Sequence, residues 1–162
     1  MVSGSGFASN ETVDLYVDST GKGQFGSATS DAGGSFTVSA APHLGPYGPH
    51  SLVGVGQTSG KLGVAYFSVT PKLLIDQTSV AAGGAVTVEG YGFAPQDGIN
   101  LYCCGDNQTV LGKAVANHLG QFTVSGGDAA TITIPAGTPP GTREISGKGS
   151  FQDSATGHVT VE

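Results

Sequence analysis

Apolar and polar residues alternate along short stretches of the chain. In Thr12–Asp18, Val13, Leu15 and Val17 are apolar and most of their neighbours are polar. Because successive side chains of a strand point to opposite faces, this pattern places the three apolar residues on one buried face. Nowhere does the chain sustain apolar residues at the i, i+3, i+4, i+7 spacing of a helix. The pattern therefore predicts an all-β protein.

The same alternation recurs along the whole chain and is interrupted by turn-forming residues. Clusters of glycine, aspartate and proline, such as Asp31–Gly34 and Pro139–Gly141, separate the stretches. We predict strands at 12–18, 24–29, 35–40, 50–57 and 62–70, and then at 73–78, 85–90, 99–104, 110–115, 120–125, 143–148 and 155–161. Many short strands with frequent turns indicate β-sandwiches, each with its core between two sheets.

The second half of the chain repeats the first. A shift of 86 residues aligns 2–39 with 88–125 without a gap, and 14 of the 38 aligned positions are identical. The identities include the pairs Phe7/Phe93 and Phe36/Phe122. Seven extra residues of the second copy lie near Gly126–Ile132, where we expect a longer loop or a strand extension. The repeat predicts two tandem domains, residues 1–71 and 72–162.

The two copies differ at their beginnings. The second copy opens with the predicted strand Leu73–Thr78, whereas the first copy begins at the equivalent of the next strand. The first domain therefore lacks its leading strand. Either the chain derives from a longer array, or a neighbouring domain of the same kind or another copy of the chain supplies a strand to the open sheet edge.

The glycines and aromatic residues of the repeat form a recognisable pattern. Each copy carries Val-x-Gly-x-Gly-Phe-Ala, then Leu-Tyr, then Gly-x-Phe-Thr-Val. This pattern resembles the tandem bacterial Ig-like (IPT/TIG-like) repeats of surface and secreted proteins. The resemblance implies two immunoglobulin-like β-sandwiches at the cell surface or outside the cell. It also implies a stalk, shaft, spacer or decoration without catalytic residues.

The charge of the chain narrows the classes of partner. The formal net charge is −6, and only five lysines and one arginine are present. A nucleic-acid-binding surface needs clustered cations to displace counterions, so we expect no nucleic-acid partner. An anionic membrane surface is disfavoured for the same reason, and no apolar run is long enough for membrane insertion by a helix.

The two cysteines, Cys103 and Cys104, are adjacent. In a regular strand they point to opposite faces, with Cys103 at the buried position of Val17 and Cys104 at the exposed position of Asp18. Three states follow from this placement: unpaired thiols, an intermolecular disulfide through Cys104, or a disulfide between the two neighbours that requires a distorted turn. The first is favoured and the last is the least expected.

Tyr16 and Tyr102 occupy equivalent outward positions of the two copies. Exposed aromatic rings on a flat sheet stack on sugar rings in many carbohydrate-binding proteins, so both are candidate ligand-stacking residues, and polysaccharide is a candidate partner. The competing interpretation is that tyrosine is simply common on strand surfaces.

The remaining polar residues indicate no catalytic site, no cofactor site and no metal site. The four histidines, His43, His50, His118 and His158, share no metal-binding spacing. Asp31 and Asn117 lie at equivalent turns, where capping of the turn by the side chain is favoured over calcium binding. We therefore expect a non-catalytic extracellular structural or adhesive module, namely a stalk, an adhesin shaft or a repeating filament subunit. The alternative is a carbohydrate-binding accessory module of a secreted enzyme.

Overall fold

The chain folds into two compact units built entirely from strands and loops. The computed structural model describes residues 1–21, 23–40 and 47–162, and the boundary between the units falls between Val69 and Thr70. No described residue lies in a helix, so the described part of the chain contains no helical membrane span. The predicted all-β fold is confirmed.

The first unit is a sandwich of two antiparallel sheets. Its strands are β1 (Val2–Gly4), β2 (Thr12–Val17), β3 (Gln24–Thr29), β4 (Phe36–Val38), β5 (Gly48–Gly56) and β6 (Leu62–Val69). One sheet pairs β1 with β4, and the other has the order β3-β2-β5-β6. Val13 and Leu15 of β2 are fully buried, as the alternation predicts.

The second unit repeats this arrangement with more strands. They are β7 (Lys72–Ile75), β8 (Ser79–Val80), β9 (Ala85–Tyr91), β10 (Gly98–Cys103), β11 (Gly112–Val115), β12 (Ala130–Thr133), β13 (Gly141–Lys148) and β14 (Ser154–Val161). One sheet has the order β12-β9-β7 and the other the order β11-β10-β13-β14-β8. All pairings are antiparallel except that of β14 with β8.

Equivalent residues of the two units have the same backbone conformation. Gly34 and Gly120 have φ of +76° and +73°, and each lies against the backbone of the equivalent phenylalanine. The amide of Phe7 donates to the Gly34 carbonyl at 3.1 Å, and that of Phe93 donates to the Gly120 carbonyl at 2.9 Å. A side chain at either glycine would collide with the phenylalanine carbonyl, so glycine is required at both positions.

The turns before these glycines are capped as predicted. The Asp31 Oδ1 atom accepts from the amides of Gly33 and Ser35 at 2.8 and 2.9 Å. The Asn117 Oδ1 atom accepts from the equivalent amides two and four residues onward, at 2.8 and 3.1 Å. Each side chain thus satisfies backbone donors of its own turn.

The two units differ in the size of their hydrophobic cores. Phe7, Val13, Leu15 and Phe36 form the buried core of the first unit. The core of the second unit is much larger and draws on all eight of its strands or the loops beside them. In both, a tilted phenylalanine pair lies between the sheets, with ring centroids 5.7 Å apart for Phe7/Phe36 and 5.6 Å for Phe93/Phe122.

The strand predicted at Gly120–Ser125 is absent. Only Phe122 of this segment bridges to β9, through reciprocal backbone hydrogen bonds with Gly90. The chain then turns, because the Thr123 carbonyl accepts the amides of both Asp128 and Ala129. β12 follows and continues the pairing with β9. The seven inserted residues therefore split one strand of the first unit into a bridge, a loop and a strand.

The leading strand predicted at Leu73–Thr78 is present but shorter than expected, because β7 ends at Ile75 and pairs with β9. A separate short strand, β8, follows beyond the predicted bounds and pairs with β14 in the other sheet. Leu73 of β7 is 4% exposed and belongs to the core. The first unit has no such strand among its described residues, as predicted.

Candidate functional site

The outward side of β6 carries an exposed row of large apolar side chains. Leu62, Val64 and Tyr66 are 66%, 54% and 84% exposed. Between them lie the smaller Gly63 and Ala65 on the other side of the strand, where Gly63 lies against Phe7 of the core and Ala65 is exposed. The first half of β6 thus has its larger side chains on the solvent side, the reverse of the usual pattern. Towards the end of the strand the usual pattern returns, because Val69 is buried.

The apolar row continues across the sheet. Val64 lies opposite Val53 of β5, and Val53 lies opposite Tyr16 of β2. Leu62 lies opposite Val55 in the same way. Because directly opposed residues of an antiparallel pair share a face, these side chains form one surface. We call it the outer face and define it as Tyr16, Val53, Val55, Leu62, Val64 and Tyr66.

The same face of the second unit is polar. The hairpins β5–β6 and β13–β14 align on Gly54, which lies opposite Gly63, and Gly147, which lies opposite Ala155. In this alignment Leu62, Val64 and Tyr66 correspond to three exposed residues of β14, which are Ser154, Thr156 and His158. Two copies with the same fold therefore present surfaces of opposite character, so the fold itself does not require the apolar face of the first.

The two tyrosines singled out in the sequence have different surroundings. Tyr16 is half-buried and belongs to the outer face. Tyr102 is also half-buried, but Lys148 Nζ lies over its ring, 5.4 Å from the centroid. The lysine occupies the position over the ring that a sugar would need. Tyr16 therefore remains the better placed of the two for stacking.

A groove lies beside the outer face, between β1 and β6. Two adjoining cavities of about 220 and 350 Å³ form it and share Val2, Ser3, Leu52 and Ala65 as lining residues. Gly54 and the core residue Phe7 are among the residues that line the first cavity. We call this cavity pair the strand groove. It occurs in the unit that lacks a leading strand.

A buried carboxylate anchors the loop after β5. Glu11 is 3% exposed and accepts hydrogen bonds from the amides of Thr58 and Ser59 at 3.0 and 2.8 Å and from the Ser59 hydroxyl at 2.7 Å. The Ala8 amide donates to it as well. Burial raises the pKa of the Glu11 carboxyl, but these hydrogen bonds together lower it to about 2.

The second unit has a carboxyl pair at the equivalent place. Asp97 takes the position of Glu11 and accepts from the Ser150 amide at 2.9 and 3.0 Å. Asp153 beside it accepts from the Ala94 amide at 2.8 Å, while its buried Oδ1 receives no hydrogen bond from the described residues. Burial raises the pKa of Asp153, and the neighbouring Asp97 carboxyl raises it further.

The cysteine pair corrects the sequence interpretation. Cys103 and Cys104 are joined by a disulfide, the least expected of the three states, with their Cα atoms 3.7 Å apart. β10 ends at Cys103, and Cys104 adopts a φ of 66°, so the strand rule that separates neighbouring side chains no longer applies. With its sulfur bonded to Cys103, Cys104 has no thiol to offer a second molecule.

Histidine and carboxylate groups do not converge elsewhere. In the described ranges no three His, Cys, Asp or Glu side chains group as a metal site would require. His50 Nδ1 lies 2.9 Å from Asp18 Oδ2, and its ring stacks on Phe67. His118 and His158 lie in separate elements, and His43 is outside the described residues.

Comparison of the sequence with known proteins identifies no relative. No family model and no curated protein sequence matches the chain. Among solved structures the chain is similar to a glycosyl hydrolase family 2 member from Bacteroides cellulosilyticus, with 14% identity, 94% of this chain and 22% of that chain covered, and a TM-score of 0.37. It is also similar to the SGBP-B protein of the Bacteroides ovatus mixed-linkage glucan utilization locus, in complex with a mixed-linkage heptasaccharide, with 14% identity, 94% and 37% covered, and a TM-score of 0.35.

Invasin, a bacterial integrin-binding protein, is similar over 94% of this chain and 32% of its own, with 14% identity and a TM-score of 0.33. The chain spans between 22% and 37% of the length of these three proteins, so what they bind or cleave is not carried over to it.

Sequence reasoning identified Tyr16 but missed the rest of the outer face. The alternation of β6 carries no signal for it, because the usual rule would place the larger Leu62, Val64 and Tyr66 in the core, whereas the structure exposes them.

Proposed function

We propose that the chain is a non-catalytic, extracellular structural or adhesive module, a stalk, adhesin shaft or repeating filament subunit, and that the outer face of its first unit packs against the same face of a second copy. The observation that carries this proposal is the exposed row Leu62, Val64 and Tyr66, for which the second unit has Ser154, Thr156 and His158. Flat faces of β-branched and aromatic residues pack on one another in sandwich cores. Two outer faces can do the same.

The charge of the chain favours such contacts. Only 11% of the residues are charged, and the six side chains that define the outer face carry no charge. Asp14, which lies opposite Val55 on the same side of the sheet, is charged, and its carboxylate accepts hydrogen bonds from the side-chain amides of Gln24 and Gln57. Association of two copies through the outer face therefore buries apolar area beside a carboxylate that is already hydrogen-bonded. A face used twice by symmetry gives a closed dimer, and a filament needs a second, different contact.

Electron microscopy of the purified chain tests the structural role. Through the outer face alone we expect paired molecules at high protein concentration, both with and without reductant, because both sulfurs are used within one chain. Rods or fibres would show that a second contact extends the pairs into a filament. Dispersed monomers in both conditions would exclude the filament form of the proposal.

Carbohydrate binding is the second candidate, and Tyr16 with Tyr66 on one face favours it. Aromatic rings on a flat strand surface can stack on sugar rings. Retention on insoluble polysaccharides tests this candidate. We expect Tyr16→Ala and Tyr66→Ala to reduce retention, with Tyr102→Ala as a matched control whose ring already faces Lys148. Absence of retention, or equal loss in all three variants, would exclude sugar stacking at the outer face.

A further inference from the structure

The second unit has a site equivalent to the strand groove, and β7 fills it. In the second unit β9 is paired on both edges, by β12 on one side and by β7 on the other. In the first unit the equivalent strand, β1, is paired by β4, and no described strand lies along its other edge. That edge borders the strand groove, because Val2, Ser3 and Gly4 line it.

The side chains that fill the counterpart are those of Leu73 and Ile75. A Cβ atom placed on Gly157 would lie 3.0 Å from Ile75 Cδ1, and one placed on Gly147 would lie 3.3 Å from Leu73 Cδ1. By the hairpin alignment these glycines correspond to Ala65 and Gly54. Ala65 and Gly54 both line the empty groove.

We propose that the strand groove binds an extended peptide strand that carries two large aliphatic side chains two residues apart. In the second unit Leu73 lies opposite Gly90 and Ile75 opposite Val88. In the first unit the residues equivalent to Gly90 and Val88 are Gly4 and Val2. The bound strand therefore runs antiparallel to β1, with one aliphatic side chain opposite Gly4 and the other opposite Val2.

The open edge has the chemistry that strand addition requires. An edge strand with free backbone donors and acceptors pairs readily with an added strand, and natural edges are usually protected by charge or proline. β1 contains neither a charged residue nor proline. Ala65 at the groove is exposed, whereas its equivalent, Gly157, is partly covered by Ile75 and Leu73. An incoming aliphatic side chain would cover it in the same way.

The chain provides its own test ligand. A synthetic peptide with the sequence of Thr70–Ser79 contains β7 and its flanks. Titrated into the dilute, isotopically labelled full chain, it should bind saturably and shift the backbone amide signals of Val2, Gly4 and Ala65. The same peptide with Leu73→Ser and Ile75→Ser should bind at least about tenfold more weakly, because each change removes the burial of an aliphatic side chain.

Two results would overturn the proposal. One is the absence of saturable binding at about 1 mM peptide. The other is a set of shifted signals confined to β9 and β14, which would mean that the peptide only replaces β7 in its own unit. A chain variant with Ala65→Trp, which fills the groove, should lose binding, and the signal mapping on the unchanged chain stands even where that variant folds poorly. Because the assay uses a peptide and dilute protein, its result is independent of association through the outer face.

Discussion

At the scale of single residues, two buried carboxyl sites hold equivalent loops by opposite means. Glu11 is ionised and receives several hydrogen bonds, whereas Asp153 is paired with a second carboxyl, Asp97. The pKa of Glu11 is lowered and that of Asp153 is raised, so the two sites depend on pH in opposite directions. Both side chains are close to fully buried, with 3% and 1% exposed.

Replacing Glu11 with glutamine should destabilise the first unit at neutral pH. The amide keeps the shape of the side chain but loses the charge that its donors stabilise. A group with a lowered folded-state pKa contributes stability above its ordinary value of 4.5 and loses it as pH falls towards about 2. The difference in unfolding free energy between wild type and Glu11→Gln should therefore shrink over that range in urea denaturation.

A smaller loss of unfolding free energy is expected for Ser59→Ala, which removes the hydroxyl donor to Glu11 and leaves the charge of the carboxylate. A Glu11→Gln variant whose stability equals that of wild type at neutral pH would contradict this account of the loop.

Replacing Asp153 with asparagine should change the pH dependence of the second unit in the other direction. The raised pKa means that Asp153 contributes stability below its ordinary value of 3.8, and that this contribution is lost as pH rises through the folded-state pKa. An amide at this position can donate to Asp97 at every pH. Chemical denaturation should show wild-type stability declining above pH 3.8 relative to Asp153→Asn, and parallel curves for the two proteins would rule out the raised pKa of Asp153.

At the scale of strands, the alternation of side chains predicted most of the fold because each sheet has one buried face. β3 has the bounds expected from the sequence, and β2 and β14 differ from expectation by one residue at an end. The strand predicted at Gly120–Ser125 is absent, because the prediction relied on the matching residues of the first copy, where no insertion follows. In the second copy seven residues are inserted, and the segment after Phe122 forms hydrogen bonds within its own turn instead of pairing with a strand.

The cysteine pair shows where alternation stops being informative. Its pairing depends on the φ of Cys104 at the end of β10, which no periodicity encodes. Asp18, the equivalent residue of the first unit, has nearly the same φ, 64° against 66°. The turn is therefore a property of the repeat, and the disulfide uses it.

The disulfide predicts that the native chain has no reactive thiol. Without reductant, Cys103 and Cys104 should not be alkylated, and a non-reducing gel should show a monomer band. Reduction before alkylation should add two labels to the intact mass. A covalent dimer, or labelling without reduction, would show that the sulfurs are not joined within one chain.

The polarity of one strand face should determine association. In a chain with Leu62→Ser, Val64→Thr and Tyr66→His, the first unit carries the residues of β14 at these positions. We expect this variant to remain monomeric at concentrations where wild type associates. The reverse exchange, Ser154→Leu, Thr156→Val and His158→Tyr, should give the second unit an apolar face and increase association. Equal behaviour of all three proteins would mean that these faces are not contact surfaces.

At the scale of the whole molecule, the duplicated domains have diverged in what they expose. The second unit has a leading strand, β7, and a polar face, and the first has an open groove and an apolar face. The repeat and the missing strand could be predicted, because both are visible in the order of the residues. The outer face could not, because it depends on which side of β6 faces solvent and on what lies opposite it in β5.

Sedimentation velocity of the wild-type chain over a wide concentration series, beside the Leu62→Ser/Val64→Thr/Tyr66→His variant, tests the central claim most directly. The apolar outer face predicts that the sedimentation coefficient of wild type rises with concentration while that of the variant stays at the monomer value. Monomers of both proteins throughout the series, or equal association of both, would contradict a structural role that operates through this face.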